Sequence, residues 1–196
     1  MAISEIKSIR TNLKRALNYY MNPLKTDGGD LVSGINCTPE IAYEQFVATK
    51  RLYDKEDKIL AYRFHQSFVP GEITKEMAHE IGINTAKHLL GNNKYEIVVS
   101  THVDKNHIHN HVCFNSVSFA TGEKYDEPFS AMKLRAINDR LCREYGYNVI
   151  EHPKEKGKSY KECHGRHKSE MILTGYYRTR ETLKNSSAEC VRPGMK

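Results

Sequence analysis

Four histidines and one aspartate lie within ten residues of this chain, between positions 102 and 111. The segment reads His-Val-Asp-Lys-Asn-His-Ile-His-Asn-His and holds four of the ten histidines in the 196-residue sequence. Neutral imidazole is the commonest metal ligand in proteins. The density of histidines therefore indicates a metal site built from this segment, with an acidic residue beside it: His102, Asp104, His107, His109 and His111.

The flanking residues explain how these rings could converge. Apolar and polar residues alternate on both sides of residues 104–106, which predicts two half-buried strands joined as a hairpin. If Val103 lies opposite Ile108, His102 lies opposite His109 on the same face, and the other two histidines lie diagonally beside them. Cβ atoms of opposite residues are about 5 Å apart and those of diagonal residues about 7–8 Å, so three imidazoles could reach one cation. The other face would carry apolar residues into a core: Ile97, Val99, Val103, Ile108 and Val112.

A solvent-facing polar strand is the ordinary alternative for alternating histidines. It would be the better interpretation of one isolated histidine. A His-X-His-X-His run opposite a fourth histidine favours the metal site.

Tyr19 and Tyr20 are candidate nucleophiles for chemistry at such a site. A metal ion held by imidazoles keeps open positions, where it can polarise a phosphodiester. Both tyrosines lie at the end of the first predicted helix, beside a Pro/Gly turn. Attack by a tyrosine on phosphorus would conserve the bond energy in a phosphotyrosyl ester, so that a cut strand could be rejoined. The alternative is that both rings only pack against neighbouring elements.

Charge divides the chain into two parts. Residues 1–150 hold 19 Lys and Arg against 18 Asp and Glu, whereas residues 151–196 hold 11 against 6. We expect a catalytic domain over 1–150 and, over 151–196, a basic C-terminal extension that is partly disordered or truncated and could contact phosphates. Five cysteines without a CxxC pair suit a reducing compartment. The sequence shows no signal peptide and no apolar run of about 20 residues, so a cytoplasmic location without membrane insertion is expected.

The remaining sequence predicts alternating strands and helices. Besides the hairpin, strands are predicted at Ile3–Ile9, Leu31–Cys37 and Ile59–Phe68. Helices are predicted at Asn12–Met21 with Thr11 as a cap, from the Thr38-Pro39-Glu40 cap to Tyr53, at Thr74–Leu90, and from Pro128 to Gly146. A hairpin within this order indicates an α+β fold of the α/β two-layer type, with a mainly antiparallel central sheet and helices on one or both faces.

Several other functions find no support in the sequence. No phosphate-binding G-x-x-x-x-G-K-[ST] loop and no G-x-S-x-G elbow occur. His79-Glu80 begins the zinc-protease pattern, but Ile83 stands where the second histidine would be required.

Two segments carry a resemblance to a known family. The segment from His102 to Asn115, HVDKNHIHNHVCFN, resembles the third motif of conjugative relaxases, the mobilisation nucleases of the HUH endonuclease superfamily. LKRALNYYMNPLKT, from Leu13 to Thr26, is similar to the catalytic-tyrosine motif of that family, particularly in relaxases of Gram-positive integrative and conjugative elements. Residues 31–37 and 65–68 also resemble the family, so the likeness covers roughly residues 1–150.

The resemblance implies a role for each matching residue. His102, His109 and His111 match the metal ligands, and His107 lies where members vary and would assist or replace one of them. Asp104 matches an acidic residue that supports the cluster by orienting an imidazole. The nucleophile falls on Tyr19, with Tyr20 as the fallback, and a loose supporting role near the phosphate falls on His65 and Asn115.

The resemblance also implies a reaction and its partners. A relaxase nicks one DNA strand at an origin of transfer through a 5′-phosphotyrosyl intermediate, then rejoins the strand after conjugative transfer. Its partners would be single-stranded or hairpin DNA, relaxosome accessory proteins and a coupling protein. The cofactor would be a divalent metal ion, Mn²⁺ or Mg²⁺ first, with other transition metals as options.

Three alternatives stay open at this point. One is a rolling-circle replication initiator or transposase of the same superfamily. The others are a metal-dependent hydrolase without a covalent intermediate and a non-catalytic DNA-binding module. Relaxases are usually much longer than this chain, so full strand transfer is less firmly implied than nicking.

Overall fold

The computed structural model describes residues 3–56 and 59–149, and these hold five strands and four α-helices. The strands are β1 (Ile3–Ile9), β2 (Val32–Ile35), β3 (Ala61–Ser67), β4 (Ile97–His102) and β5 (His109–Asn115). The helices are α1 (Leu13–Tyr20), α2 (Ala42–Leu52), α3 (Lys75–Leu90) and α4 (Ser130–Glu144). This is the predicted order of elements. The predicted basic extension, 151–196, lies outside the described residues.

The five strands form one sheet in the order β1-β3-β5-β4-β2, and every neighbouring pair is antiparallel. The prediction of an α+β fold with an antiparallel central sheet is therefore confirmed. Strands β4 and β5 are adjacent in both sequence and space, and His102 pairs with His109 as predicted. β5 also pairs with β3, which sets His65 opposite His111 and places the histidine hairpin at the centre of the sheet.

Helices cover both faces of the sheet. On one face, α1 and α2 bury Leu17 and Phe46 against Val98 and Cys113 of the central strands. On the other face, α3 and α4 form a core with Val99 and other apolar residues of the strands: Ala86, Leu90, Leu134, Phe64, Ile97, Val112 and Phe114. The sheet therefore lies between two helical layers, and all six residues of β4 are buried rather than alternating with exposed ones.

The ends of the elements differ from the predictions where local caps decide them. The helix predicted over Thr74–Leu90 begins at Lys75, and Thr74 is its N-cap, accepting a hydrogen bond from the Met77 backbone N–H at 3.3 Å. At α1 the N-cap residue is Asn12, in a left-handed conformation (φ 54°), rather than Thr11. A short 3₁₀ turn, Pro39–Ile41, separates the predicted Thr38 start from α2. Within the described residues no helix is long and apolar enough to span a membrane.

Candidate metal and tyrosine site

Three histidines of the central hairpin converge on one point. His102 is the last residue of β4, and His109 and His111 lie near the start of β5, on the same face. One ring nitrogen from each lies within 4.8 Å of the other two. The ring centroid of His102 is 4.5 Å from that of His111 and 5.1 Å from that of His109. Three neutral imidazoles at this separation form a ligand set suited to a divalent transition metal.

Hydrogen bonds indicate which nitrogen of each ring faces the centre. Nε2 of His102 donates to the Tyr20 carbonyl oxygen at 2.9 Å, which leaves Nδ1 as the lone-pair nitrogen of the neutral ring. Nδ1 of His109 lies 3.3 Å from the His107 carbonyl oxygen, which leaves Nε2. Among the described residues, His102 Nδ1 and His111 Nε2 are buried side-chain nitrogens with no hydrogen-bond partner. Buried polar atoms are normally satisfied, so these two orphaned nitrogens fit a metal ion.

Burial keeps the three rings neutral. It lowers the pKa of His111 to about 2 and that of His109 to about 4, and neighbouring imidazoles add to both shifts. The pKa of His102 is also lowered, mainly by burial. A metal binds only unprotonated imidazole, so all three rings are in the ligand form near neutral pH.

The two candidate tyrosines have different environments. Tyr20 is 4% exposed, its ring stacks on His111 at 4.7 Å, and its hydroxyl accepts a hydrogen bond from Arg63 at 3.4 Å. Burial raises the pKa of Tyr20. Tyr19 is 44% exposed, and its ring lies 5.5 Å from that of His102 and 5.9 Å from that of His111. Of the pair, Tyr19 is therefore the one that a large substrate can reach.

Asp104 contacts a lysine rather than an imidazole. Its carboxylate forms an ion pair with Lys25, and this contact lowers the pKa of Asp104. The nitrogens of His102 and His109 that face away from the centre bind backbone carbonyl oxygens instead. The resemblance implied a contact from Asp104 to an imidazole, but the structure has an ion pair with Lys25 in its place. The turn at Asp104 directs its carboxylate towards Lys25, in the loop that follows α1.

Comparison with known proteins identifies the family. Residues 19–147 match the model of the MobA/VirD2-like relaxase nuclease domain, a range that begins at Tyr19 and includes the whole histidine hairpin. This chain belongs to the relaxase family.

The curated relatives of this relaxase domain include proteins named Rlx from Staphylococcus aureus. One is 42% identical over 120 residues, covering 61% of this chain and 38% of the relative. Another is 38% identical over 142 residues, covering 72% of this chain and 42% of the relative. The group II intron-interrupted relaxase LtrB of Lactococcus lactis subsp. cremoris is 30% identical, covering 79% of this chain and 34% of the relative. The chain thus spans about two fifths of the two Rlx proteins and a third of LtrB.

The hairpin of β4 and β5, which carries the three candidate metal ligands, is called the metal hairpin. Behind it lies a buried polar network that sequence reasoning missed. Asn110 lies between two of the three histidines but faces the opposite side of the sheet. Its amide donates to the carbonyl oxygens of Ala78 at 2.6 Å and of the Gln66 side chain at 3.0 Å. Its own side-chain oxygen accepts from Thr101 at 2.7 Å. The period-two pattern contained the signal, since polar residues occupy the positions assigned to the apolar face.

The network continues on both sides of Asn110, and because the Thr101 hydroxyl donates to Asn110 it is an acceptor for His79. His79 Nδ1 donates to Thr101 at 2.8 Å, and Ser33 donates to His79 Nε2 at 2.8 Å. Gln66 donates to Thr85 at 2.9 Å and to the Asn138 side chain at 2.7 Å. Because each member has a directional partner, the network fixes the register of the metal hairpin against α3 and α4.

Three further residues lie apart from the centre. His107 is in the turn before β5, with its ring 5.1 Å from that of His109, and it is not one of the three clustered ligands. His65 lies opposite His111 on β3, so a place near the phosphate remains consistent with its position. Asn115 lies at the far end of β5, where its amide donates to Glu96 at 2.6 Å and to the Phe46 carbonyl at 3.1 Å. The supporting role near the phosphate expected of Asn115 is therefore wrong, and its contacts are structural.

Proposed function

We propose that this chain nicks one strand of DNA at an origin of transfer by metal-assisted attack of Tyr19 on a phosphodiester. The observation that carries the proposal is the exposed phenol of Tyr19 beside three convergent, neutral imidazoles, in a chain of the relaxase family. Residues 1–150 would form the catalytic domain. Strand transfer, rejoining and recruitment of accessory and coupling proteins by the whole protein are part of the same proposal.

His102, His109 and His111 would hold the metal through Nδ1, Nε2 and Nε2, respectively. The ion would supply charge stabilisation to the non-bridging oxygens of the scissile phosphate. Mn²⁺ suits an all-imidazole site better than Mg²⁺, although Mg²⁺ remains an option because phosphate oxygens would complete the coordination. His107 would serve as an accessory ligand only.

Tyr19 would act as the nucleophile. Its oxygen forms a bond to phosphorus, the bond from phosphorus to the 3′-oxygen breaks, and the departing strand ends in a 3′-hydroxyl. The phenol proton is lost and one proton ends on that 3′-oxygen, so no net proton is consumed. One phosphodiester is exchanged for another, and the same groups can reverse the reaction to rejoin the strand.

The charges around the three histidines suit single-stranded or hairpin DNA. Lys105 lies close enough to lower the pKa of His102, and Arg63 does the same to His111. Cations at this distance would bind the phosphates on either side of the scissile bond. Asp104 is paired with Lys25, so its negative charge is offset.

The test uses single-stranded oligonucleotides that tile the DNA beside the chain's own gene, labelled at either end. The full chain is incubated with Mn²⁺ or with EDTA, and a denaturing gel reports covalent adducts. Tyr19→Phe and His109→Ala are compared with Tyr20→Phe, a matched control in which the neighbouring phenol is removed. We expect an adduct that carries the 3′ label, requires metal and Tyr19, and persists in Tyr20→Phe.

Each other result has a distinct meaning. An adduct lost only in Tyr20→Phe would move the nucleophile by one residue. Cleavage that produces no adduct and persists in Tyr19→Phe would refute the covalent mechanism and favour a metal-dependent hydrolase. Salt-sensitive binding without cleavage, unchanged by EDTA, would favour a non-catalytic DNA-binding module. Activity only on replication origins or transposon ends would favour the other enzymes of the superfamily.

A further inference from the structure

Lys25 joins the segment that follows Tyr19 to the metal hairpin at two points. The Lys25 carbonyl oxygen accepts a hydrogen bond at 2.8 Å from the backbone N–H of Val103, the residue after His102. The Lys25 side chain forms an ion pair with Asp104, on the same turn. Both side chains of this pair are 22% exposed, so solvent reaches part of the contact.

The Lys25 ammonium also lies over the ring of Tyr19, with Nζ 5.2 Å from the ring centroid. Cations within about 6 Å of an aromatic face are attracted to it, more strongly where solvent is excluded. Tyr19 is 44% exposed, so this cation adds to the ring's contacts with His102 and His111 in limiting its motion.

The loop that carries Lys25 is itself rigidly built. Asn22 accepts hydrogen bonds at its backbone carbonyl from the N–H groups of Lys25 at 2.9 Å and Thr26 at 3.2 Å, and its side chain accepts from Leu24 at 3.0 Å. The Leu31 carbonyl oxygen accepts from the Thr101 N–H at 2.9 Å. Lys25 is therefore held at a fixed position relative to the metal hairpin.

We propose that Lys25 is a positioning residue, which holds the Tyr19 ring over the three-histidine site through its ammonium while Asp104 fixes that ammonium. The inference deepens the proposed function and rests on Tyr19 being the nucleophile. It gives Asp104 a different task from orienting an imidazole, since the carboxylate acts on Tyr19 through Lys25. Orientation of a nucleophile affects the rate of the bound complex, so the effect belongs in the cleavage step.

The first experiment measures single-turnover cleavage and oligonucleotide affinity separately. Lys25→Met is compared with Lys25→Arg, which keeps the cation and its ion pair. Lys14→Met is the matched control, because Lys14 also covers a tyrosine ring, that of Tyr43 at 5.3 Å, and pairs with Glu44 at 3.4 Å, on the outer part of α1. We expect about a 10- to 100-fold slower cleavage at saturating DNA in Lys25→Met, most of the rate in Lys25→Arg, and no change in Lys14→Met.

The Asp104→Asn variant tests whether Asp104 acts on Tyr19 through Lys25. If Asp104 acts through Lys25, the double variant with Lys25→Met is no slower than Lys25→Met alone. Additive losses would instead place Asp104 on another partner and refute that part of the proposal. A weaker affinity with a salt slope reduced by about 1, at an unchanged saturated rate, would make Lys25 a phosphate contact and overturn the positioning role.

A second readout does not depend on activity. NMR relaxation of labelled tyrosine rings, with the Tyr19 signal assigned from Tyr19→Phe, reports the order of that ring without DNA. We expect the Tyr19 ring to move faster and further in Lys25→Met than in the wild-type chain, and to move as in the wild-type chain in Lys14→Met. Unchanged ring motion in Lys25→Met would overturn the proposal. If the wild-type chain forms no Tyr19 adduct, the proposed function fails while this measurement still decides the role of Lys25.

Discussion

Gly82 of α3 lies directly against the buried network behind the metal hairpin, and Gly82→Ala tests how tightly that network is packed. A Cβ at position 82 would stand 2.6 Å from the Asn110 Nδ2 atom, 3.1 Å from its Cγ and 3.3 Å from a methyl of Val99. The Asn110 amide cannot swing away freely, because it donates to both Ala78 and Gln66. The added methyl group therefore forces the amide or the helix to move.

The magnitude follows from opposing effects. Alanine is favoured over glycine in a helix interior by about 1 kcal/mol. Overpacking a core costs about 1–3 kcal/mol, and leaving buried hydrogen-bonding groups unpaired costs about 1–3 kcal/mol more. We therefore expect Gly82→Ala to lower the free energy of unfolding by about 1–5 kcal/mol. Because Asn110 lies between His109 and His111, Mn²⁺ affinity should fall as well, by about 10-fold or more.

The assay is urea denaturation of the metal-free chain, together with calorimetric titration of Mn²⁺. Lys87→Ala, on the exposed side of the same helix, is the control and should change neither quantity. The decisive comparison is Gly82→Ala in an Asn110→Ala background, where the obstructing amide is absent. There the same substitution should stabilise the chain, by up to about 1 kcal/mol. A Gly82→Ala chain as stable as wild type, with unchanged Mn²⁺ affinity, would refute this account of the packing.

Three further predictions test the site and its surroundings. Burial lowers the pKa of His79 and takes that of His109 to about 4, so the unfolded chain binds protons between about pH 6.5 and pH 4 that the folded chain does not. As the pH is lowered across that range, His109 should remove about 1.4 kcal/mol of stability per pH unit and His79 should add a loss in the same direction, and equal unfolding energies at about pH 7 and pH 5 would contradict this. Asn115→Leu should cost about 1–3 kcal/mol in urea denaturation, because it removes the donor to the buried Glu96 Oε2 atom while Thr49 still donates to Oε1, yet it should keep Mn²⁺ affinity; weaker metal binding at unchanged stability would restore a role at the site. Mn²⁺ at about 100 times its dissociation constant should stabilise the wild-type chain by about 2.7 kcal/mol and should not stabilise His111→Ala, and an equal gain in both would place the ion elsewhere.

Much of the fold could be predicted because its signals are local. Alternation around residues 104–106 fixed the hairpin register, including the pairing of His102 with His109. The strand order could not be predicted in the same way, since β3 inserts beside β5 and β2 beside β4 only through contacts distant in sequence. The sequence predicted helices on one or both faces but did not specify that α1 and α2 cover the histidine face, and this cover accounts for the full burial of β4.

For the site, the sequence indicated which residue types take part but not which side chains Asp104 and Asn115 contact. Spacing predicted that the four histidines of the hairpin converge, and the resemblance selected His102, His109 and His111, the three that the structure brings together. The resemblance also favoured Tyr19 over Tyr20. The partner of Asp104 was not predictable, because Lys25 lies 79 positions away and reaches it only after β4 is paired. Asn115 illustrates the opposite error, since a residue within the motif proves to be bound to Glu96 and Phe46 at the far end of the strand.

The alternation that places three histidines on one face also dictates what must hold them. Each immediate neighbour of a ligand points to the other face, so Thr101 and Asn110 are the side chains whose positions are coupled most directly to the ligand backbone. Apolar residues at positions 101 and 110 would be buried equally well, but apolar contacts are not directional and permit small shifts along the strand. Hydrogen bonds from Thr101 to Asn110, and from Asn110 to α3 and β3, fix distances along the strand within a few tenths of an ångström. A ligand set that must match one ion is therefore better supported from behind by a polar network than by the apolar core that the alternating pattern predicted.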